Sequence, residues 1–207
     1  MSTATLVPLA LKNGDRMDRE EFHRRYLECG DIQGIELIEG VVYMPMPISF
    51  TNHAEPQHFA QMWIGTYALR NPDVRASGPA SVFLDNRNQP EPDAILFSLD
   101  HGNLRRDGYV EGAPQLVVEV AHSSRNRDLG GKYTSYERNG VLEYIVWRVE
   151  QHAIDWFQLR DGRFERREPD ENGIIESEVF PGLRLNVDLM LDGDLAGVLA
   201  ELDSSRA

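Results

Sequence analysis

The spacing of apolar positions along this chain divides it into stretches of helical and strand periodicity. Phe22, Tyr26 and Cys29 recur at helical intervals behind Asp18, which predicts a capped helix to about Glu28, stopped by Gly30. Two short apolar runs then flank Glu39-Gly40 over residues 35–45 and predict a β-hairpin with a tight turn. Phe59, Met62, Trp63 and Tyr67 return to the helical interval and predict a second helix over about 53–69, ended by Asn71-Pro72. Short strands follow at about 80–84 and 93–97, separated by the polar turn 85–89, and residues 100–112, with their glycines and scattered charges, predict a loop. Residues 125–139, capped by Ser123 or Ser124 and stopped by Gly140, predict a third helix. Strands at 141–149, 152–159 and 163–167, a further strand pair and a short helix at about 189–199 complete the pattern. Residues 1–16 read as a loosely held terminus or an edge strand.

One run departs from simple alternation. Gln115-Leu-Val-Val-Glu-Val-Ala121 is apolar on both parities, as in a strand covered on both faces, and Glu119 interrupts it. A carboxylate buried without a partner costs several kcal/mol or stays protonated, so Glu119 calls for a cation, a metal or a proton. Only two of the 21 basic residues are lysine, and one of them, Lys132, stands on the helix that follows. If that helix folds back along the sheet, about 10 Å of strand followed by about 11 Å of returning helix brings Lys132 level with Glu119. Its stem is long enough to place an ammonium beside the carboxylate. Asp128, four residues earlier, would share that helix face and could orient Lys132.

A second acid comes from Glu91-Pro-Asp-Ala-Ile-Leu-Phe97, where Asp93 opens an apolar strand able to pair with the Glu119 strand. Glu36, on the first strand of the predicted hairpin, is a third. Three such acids supply hard oxygen ligands for Mg²⁺ (or Mn²⁺), and a lysine beside them can stabilise developing phosphate charge or position water. Singly, each has an ordinary role: Glu119 as a structural ion-pair acid, Asp93 as a turn or cap residue, Glu36 as an exposed hairpin residue, Lys132 as a surface lysine. Their joint spacing is what points to a site. Gly131-Lys132 does not open a phosphate-binding P-loop, since Asn126 and Tyr133 occupy the positions of its first glycine and its Ser/Thr. His53, Glu55 and His58 lack zinc-helix spacing and are interrupted by Pro56.

With 207 residues, 41% of them hydrophobic, the chain suffices for one compact α/β or α+β domain. No stretch approaches 18 uncharged apolar residues and the N-terminus lacks a secretory pattern, so no membrane association and a cytoplasmic location are expected. Cys29 is the single cysteine, which excludes an intrachain disulfide and a thiolate metal cluster. A net charge of −13 argues against general polyanion binding. The charge is uneven, however: from Glu168 onward ten acids face two arginines, leaving the preceding body only mildly acidic. Arg24-Arg25, Arg105-Arg106 and the pair Arg125 and Arg127 could still touch phosphates.

Together these residues resemble the PD-(D/E)XK nuclease superfamily, and within it the Uma-type branch of restriction-endonuclease-like proteins. The similarity spans about residues 18–150 and is most specific in Leu116-Val-Val-Glu-Val-Ala-His-Ser-Ser124, Asp128, Lys132, Tyr136 and Gly140-Val-Leu-Glu-Tyr144. In that branch the lysine has moved from the strand to the following helix, as here, where the strand position is Ala121. The resemblance implies a restriction-endonuclease-like core, with helices flanking a central mixed sheet, and a C-terminal β/helix extension over about 151–207. It also implies Asp93 and Glu119 as metal ligands with Glu36 as a further acid, Lys132 as the catalytic lysine, and His53 as a residue that could line the site. The expected function is Mg²⁺-dependent cleavage of DNA, in a homodimer by analogy of fold. The alternatives are a catalytically silent nuclease fold used for binding or assembly, and a metal-dependent hydrolase of another phosphoester. Gly130-Gly131 within the helix either weakens the placement of Lys132 or permits a close backbone approach.

Overall fold

The structure is a computed structural model that describes residues 10–30, 32–101, 104–121 and 127–204. Asp18 accepts a hydrogen bond from the Glu21 amide and so caps α1 (Arg19–Glu28), which buries Phe22. β1 (Glu36–Ile38) and β2 (Val41–Tyr43) form the expected hairpin, with Glu39 and Gly40 at φ 52° and 74°. Two consecutive positive φ values are what a two-residue turn needs to match strand twist. A π-helical turn, Phe50–Ala54, leads into α2 (Glu55–Arg70). α2 buries Pro56, Ala60, Trp63, Ile64 and Tyr67, so the inward stripe runs one residue away from the expected Met62, which is exposed.

β3 (Val74–Ser77) was not anticipated from the pattern. Its alternation of half-buried Val74 and Ala76 with exposed Arg75 and Ser77 suits an edge strand. β4 (Val82–Phe83) and β5 (Ala94–Ser98) follow, and β6 (Val110–Glu111), inside the predicted loop, pairs in parallel with β4. β7 (Leu116–Ala121) carries Glu119. The third predicted helix is in fact two: a π-helical stretch, Arg127–Lys132, continues into α3 (Tyr133–Asn139), closed by Gly140 at φ 85°. The proposed capping residues Ser123 and Ser124, together with Arg125, lie outside the described residues. β8 (Glu143–Arg148), β9 (Ala153–Arg160) and β10 (Arg163–Arg167) are the three expected strands. β11 (Ile174–Glu176) and β12 (Arg184–Asn186) pair, and the tail has two helices instead of one, α4 (Val187–Leu191) and α5 (Leu195–Ser204), parted at Gly193.

The central sheet is mixed and six-stranded, in the order β10-β9-β8-β7-β5-β3. Only β7 and β8 run parallel, because the segment that includes α3 carries the chain back across the sheet between them. Strand parity sorts the core. Leu116, Val118 and Val120 of β7 join Ala94 and Leu96 of β5 in the layer under α2, α4 and α5. Val117 and Ala121 join Ile95 and Phe97 in the opposite layer, under Tyr136 of α3. Glu119 has the parity of Val117 and Ala121, and therefore faces the α3 side. Among the described residues no helix is long and apolar enough to cross a membrane.

Candidate active site

The antiparallel register pairs Ala94 with Val118, so one residue further Asp93 stands opposite Glu119. Directly opposed residues project from the same face with Cβ atoms about 5 Å apart, which puts both carboxylates on one side of the sheet. The β5–β7 ladder ends there because Pro92 has no amide hydrogen and the Asp93 side chain takes over: its Oδ2 accepts from the Val120 amide at 2.7 Å. Its Oδ1 accepts from Gln57 Nε2 at 2.9 Å and lies 3.2 Å from His53 Nε2. Gln61 Nε2 donates to the Asp93 carbonyl at 3.0 Å. Asp93 is thus held from β7 on one side and from α2 and its preceding turn on the other.

Lys132 reaches Glu119 as the fold-back geometry requires. Its Nζ is 2.8 Å from Glu119 Oε1 and 2.8 Å from Glu36 Oε1, so one ammonium bridges acids from two different sheets. Glu36 Oε1 also accepts from the Glu91 amide at 2.9 Å. All four are buried, and exposures of 5% for Glu36 and 2% for Lys132 take these two out of the exposed roles ordinary for them. The glycine pair divides in function. A Cβ on Gly131 would lie 3.0 Å from Ile38 Cγ2, whereas one on Gly130 would meet nothing within 4 Å. Gly131 therefore permits the close backbone approach that seats Lys132 against the hairpin carrying Glu36.

Two contributors went unrecognised as site residues in the sequence. Tyr136 Oη donates to Glu119 Oε1 at 2.9 Å. Burial first, and the Glu119 carboxylate next, hold this phenol well above its ordinary range, so it stays a protonated donor. Its signal was its place four residues after Lys132. Gln57 stands four residues after His53, one turn along the element that meets Asp93. Glu91 lines the same cleft, and burial followed by the nearby Glu36 carboxylate raises its carboxyl. Of the other expected residues, Arg125 is outside the described residues, and the side chains of Arg127 and Asp128 are likewise undescribed.

These groups open onto a cleft of about 670 Å³, floored by the acids and Lys132 and walled on one side by residues 44–48. Among the described residues no three His, Cys, Asp or Glu side chains are already drawn together at ligand spacing, since Glu36 and Glu119 close on Lys132. The donor chemistry nevertheless fits a hard divalent cation. Three carboxyl groups gather around a single ammonium, and every donor is oxygen, the ligand type a hard cation takes. Lys132 itself marks where a cation sits between two of the acids.

Comparison with known proteins bears on the family and the fold. No curated protein matches the sequence. A crystal structure described as a putative nuclease belonging to DUF820, from Anabaena variabilis ATCC 29413, superposes with a TM-score of 0.64. The match has 14% identity and covers 81% of this chain and 97% of that one, a likeness that establishes the fold. The family described as "Uma2: Putative restriction endonuclease" matches residues 19–188, well beyond the end near residue 150 that the motifs suggested. With that match spanning most of its length, the chain belongs to the Uma2 restriction-endonuclease-like family.

Proposed function

We propose that this protein is a Mg²⁺-dependent (or Mn²⁺-dependent) endonuclease that hydrolyses phosphodiester bonds in DNA. The observation that carries the reading is the buried Lys132 ammonium, 2.8 Å from both Glu36 and Glu119, at the floor of an open cleft that Asp93 also lines. Membership in the Uma2 family supports a nuclease. Asp93, Glu119 and Glu36 are the residues that would hold the metal. Once bound, such an ion supplies charge neutralisation at phosphate and a more acidic water.

The protein's own contribution is positional and electrostatic. Gln57 and the Val120 amide fix both oxygens of Asp93, so that carboxylate enters the reaction already oriented. Tyr136 and Lys132 share Glu119 Oε1 and hold it against the sheet face. Lys132 carries the positive charge able to stabilise the extra negative charge on phosphorus-bound oxygen as water attacks. A homodimer, expected by analogy of fold, is part of the proposal.

Nicking of supercoiled plasmid with Mg²⁺ or Mn²⁺ tests the reading. Parent protein is expected to nick, and Asp93→Asn and Lys132→Met each to fall by about 10²-fold or more. Activity indifferent to both substitutions would refute it. Lys132 already engages two glutamates, which favours the competing reading of a nuclease fold retained for binding or assembly. A Mn²⁺ binding heat that disappears in Glu119→Ala separates the two, since the silent protein would give none. A panel of other phosphoesters tests the remaining alternative, a different phosphoester hydrolase.

A further inference from the structure

We propose that residues 44–50 form a base-stacking wall, and that the strand presented to Lys132 and Asp93 is unpaired nucleic acid rather than an intact duplex. The inference rests on the nuclease reading and deepens it. After β2 the chain runs without regular structure from Met44 to Ser49, then enters the π-helical turn whose His53 meets Asp93. Pro45 and Pro47 hold this stretch extended, because each fixes its own φ and disfavours helix in the residue before it. Met46, Ile48 and Phe50 fall on alternate positions and are 59%, 66% and 68% exposed. Three large apolar side chains in water on one short strap are not core residues.

The strap is continuous with the site: Met46 and Ile48 line the same cleft as Glu36, Asp93, Glu119 and Lys132. Of the described residues lining the cleft four are acids, and Lys132 is the only lysine or arginine, already engaged by two carboxylates. An occupant suited to both sides offers a phosphodiester to the floor and an apolar surface to the wall. An unstacked nucleotide has both, whereas a duplex turns its phosphates outward and keeps its base faces covered.

The test is fluorescence anisotropy with Ca²⁺ in place of Mg²⁺, using labelled strands of about twelve nucleotides. The probes are single-stranded DNA, single-stranded RNA, an abasic DNA strand of equal charge and a blunt DNA duplex. Parent protein is expected to bind at least one of the base-bearing single strands about tenfold or more tightly than the abasic strand, and the duplex no better than the abasic strand. The exposed triple variant Met46→Ser, Ile48→Ser, Phe50→Ser should lose that margin while keeping its thermal midpoint. Equal binding of abasic and base-bearing strands by the parent overturns the inference without any variant. So does an unchanged margin in the triple variant, or a change in its elution volume alone, which would make the strap a contact between copies. Strap-independent duplex binding with nicking that still needs Asp93 and Lys132 sinks the stacking wall and leaves the nuclease standing. Failure of the parent to bind any strand sinks the stacking wall, and the nuclease reading falls with it only if plasmid nicking is absent as well.

Discussion

Two glutamates are buried in the middle of the central sheet, on neighbouring parallel strands, and they have opposite fates. Glu119 of β7 meets an ammonium and a phenol at the floor of an open cleft. Glu143 of β8, fully buried, accepts from Ser177 Oγ at 2.6 Å and the Glu178 amide at 2.9 Å, and is not among the described residues that line that cleft. Burial raises its carboxyl above the usual carboxylate range, and neutral donors near β11 satisfy its oxygens. Burial of an acid in an apolar strand therefore does not by itself identify a site. What distinguishes Glu119 is a cation delivered from a remote element and access to solvent-filled space.

The largest effect should come from removing that cation. Lys132→Met leaves Glu36 and Glu119 facing each other, and is expected to destabilise the fold by about 3–5 kcal/mol in urea titration as well as abolishing nicking. Little change in the urea midpoint would mean the acids do not depend on Lys132, and the contrast with Glu143 would weaken. Next, Glu119→Gln should eliminate nicking, while Glu143→Gln should retain it. Loss of activity in both would erase the distinction.

The pH dependence of stability sharpens the same comparison. A carboxyl whose folded pKa is raised above its ordinary 4.5 binds protons more tightly when folded. Its favourable contribution is complete below 4.5 and is lost as pH rises towards the raised folded value. The stability of the parent relative to Glu143→Gln should therefore decline as pH climbs through and above 4.5, read from paired urea midpoints. A relative stability that rises with pH would show that Glu143 is held as a favoured carboxylate instead.

Smaller effects separate the two glycines that deliver Lys132. Gly131→Ala must displace Ile38 Cγ2 and should cost about 1–3 kcal/mol, with part of the loss recovered by Ile38→Val. Gly130→Ala meets no neighbour and should be neutral or stabilising by up to about 1 kcal/mol, with nicking intact. Equal losses in both would mean that the turn needs backbone freedom and not clearance against β1.

Much of the site was legible in the chain itself. An acid inside a doubly apolar run, a rare lysine thirteen positions later and the fold-back geometry of a strand–helix unit brought Glu119 and Lys132 together, because all three depend on distances along a local connection. The hairpin turn was equally local, set by Glu39-Gly40. Glu36 and Asp93 were legible as candidates, but their burial and the sharing of one ammonium between Glu36 and Glu119 arise where the hairpin meets the central sheet. Glu143 shows the converse: its strand carries the same sequence signal as that of Glu119, and only the packing of Ser177 and Glu178 upon it makes it structural.

The sequence by itself determined the strand and helix periods, the capped starts and glycine stops, and which acids and which lysine could take part in chemistry, since these follow from neighbours within a few residues. Tertiary structure alone decided that α2 turns Met62 outward, that Gln57 and the Val120 amide orient Asp93, that Gly131 rather than Gly130 lies close against a neighbour, and that one wall of the cleft is apolar. Those outcomes depend on contacts between elements far apart in the chain, whose relative placement no local spacing encodes.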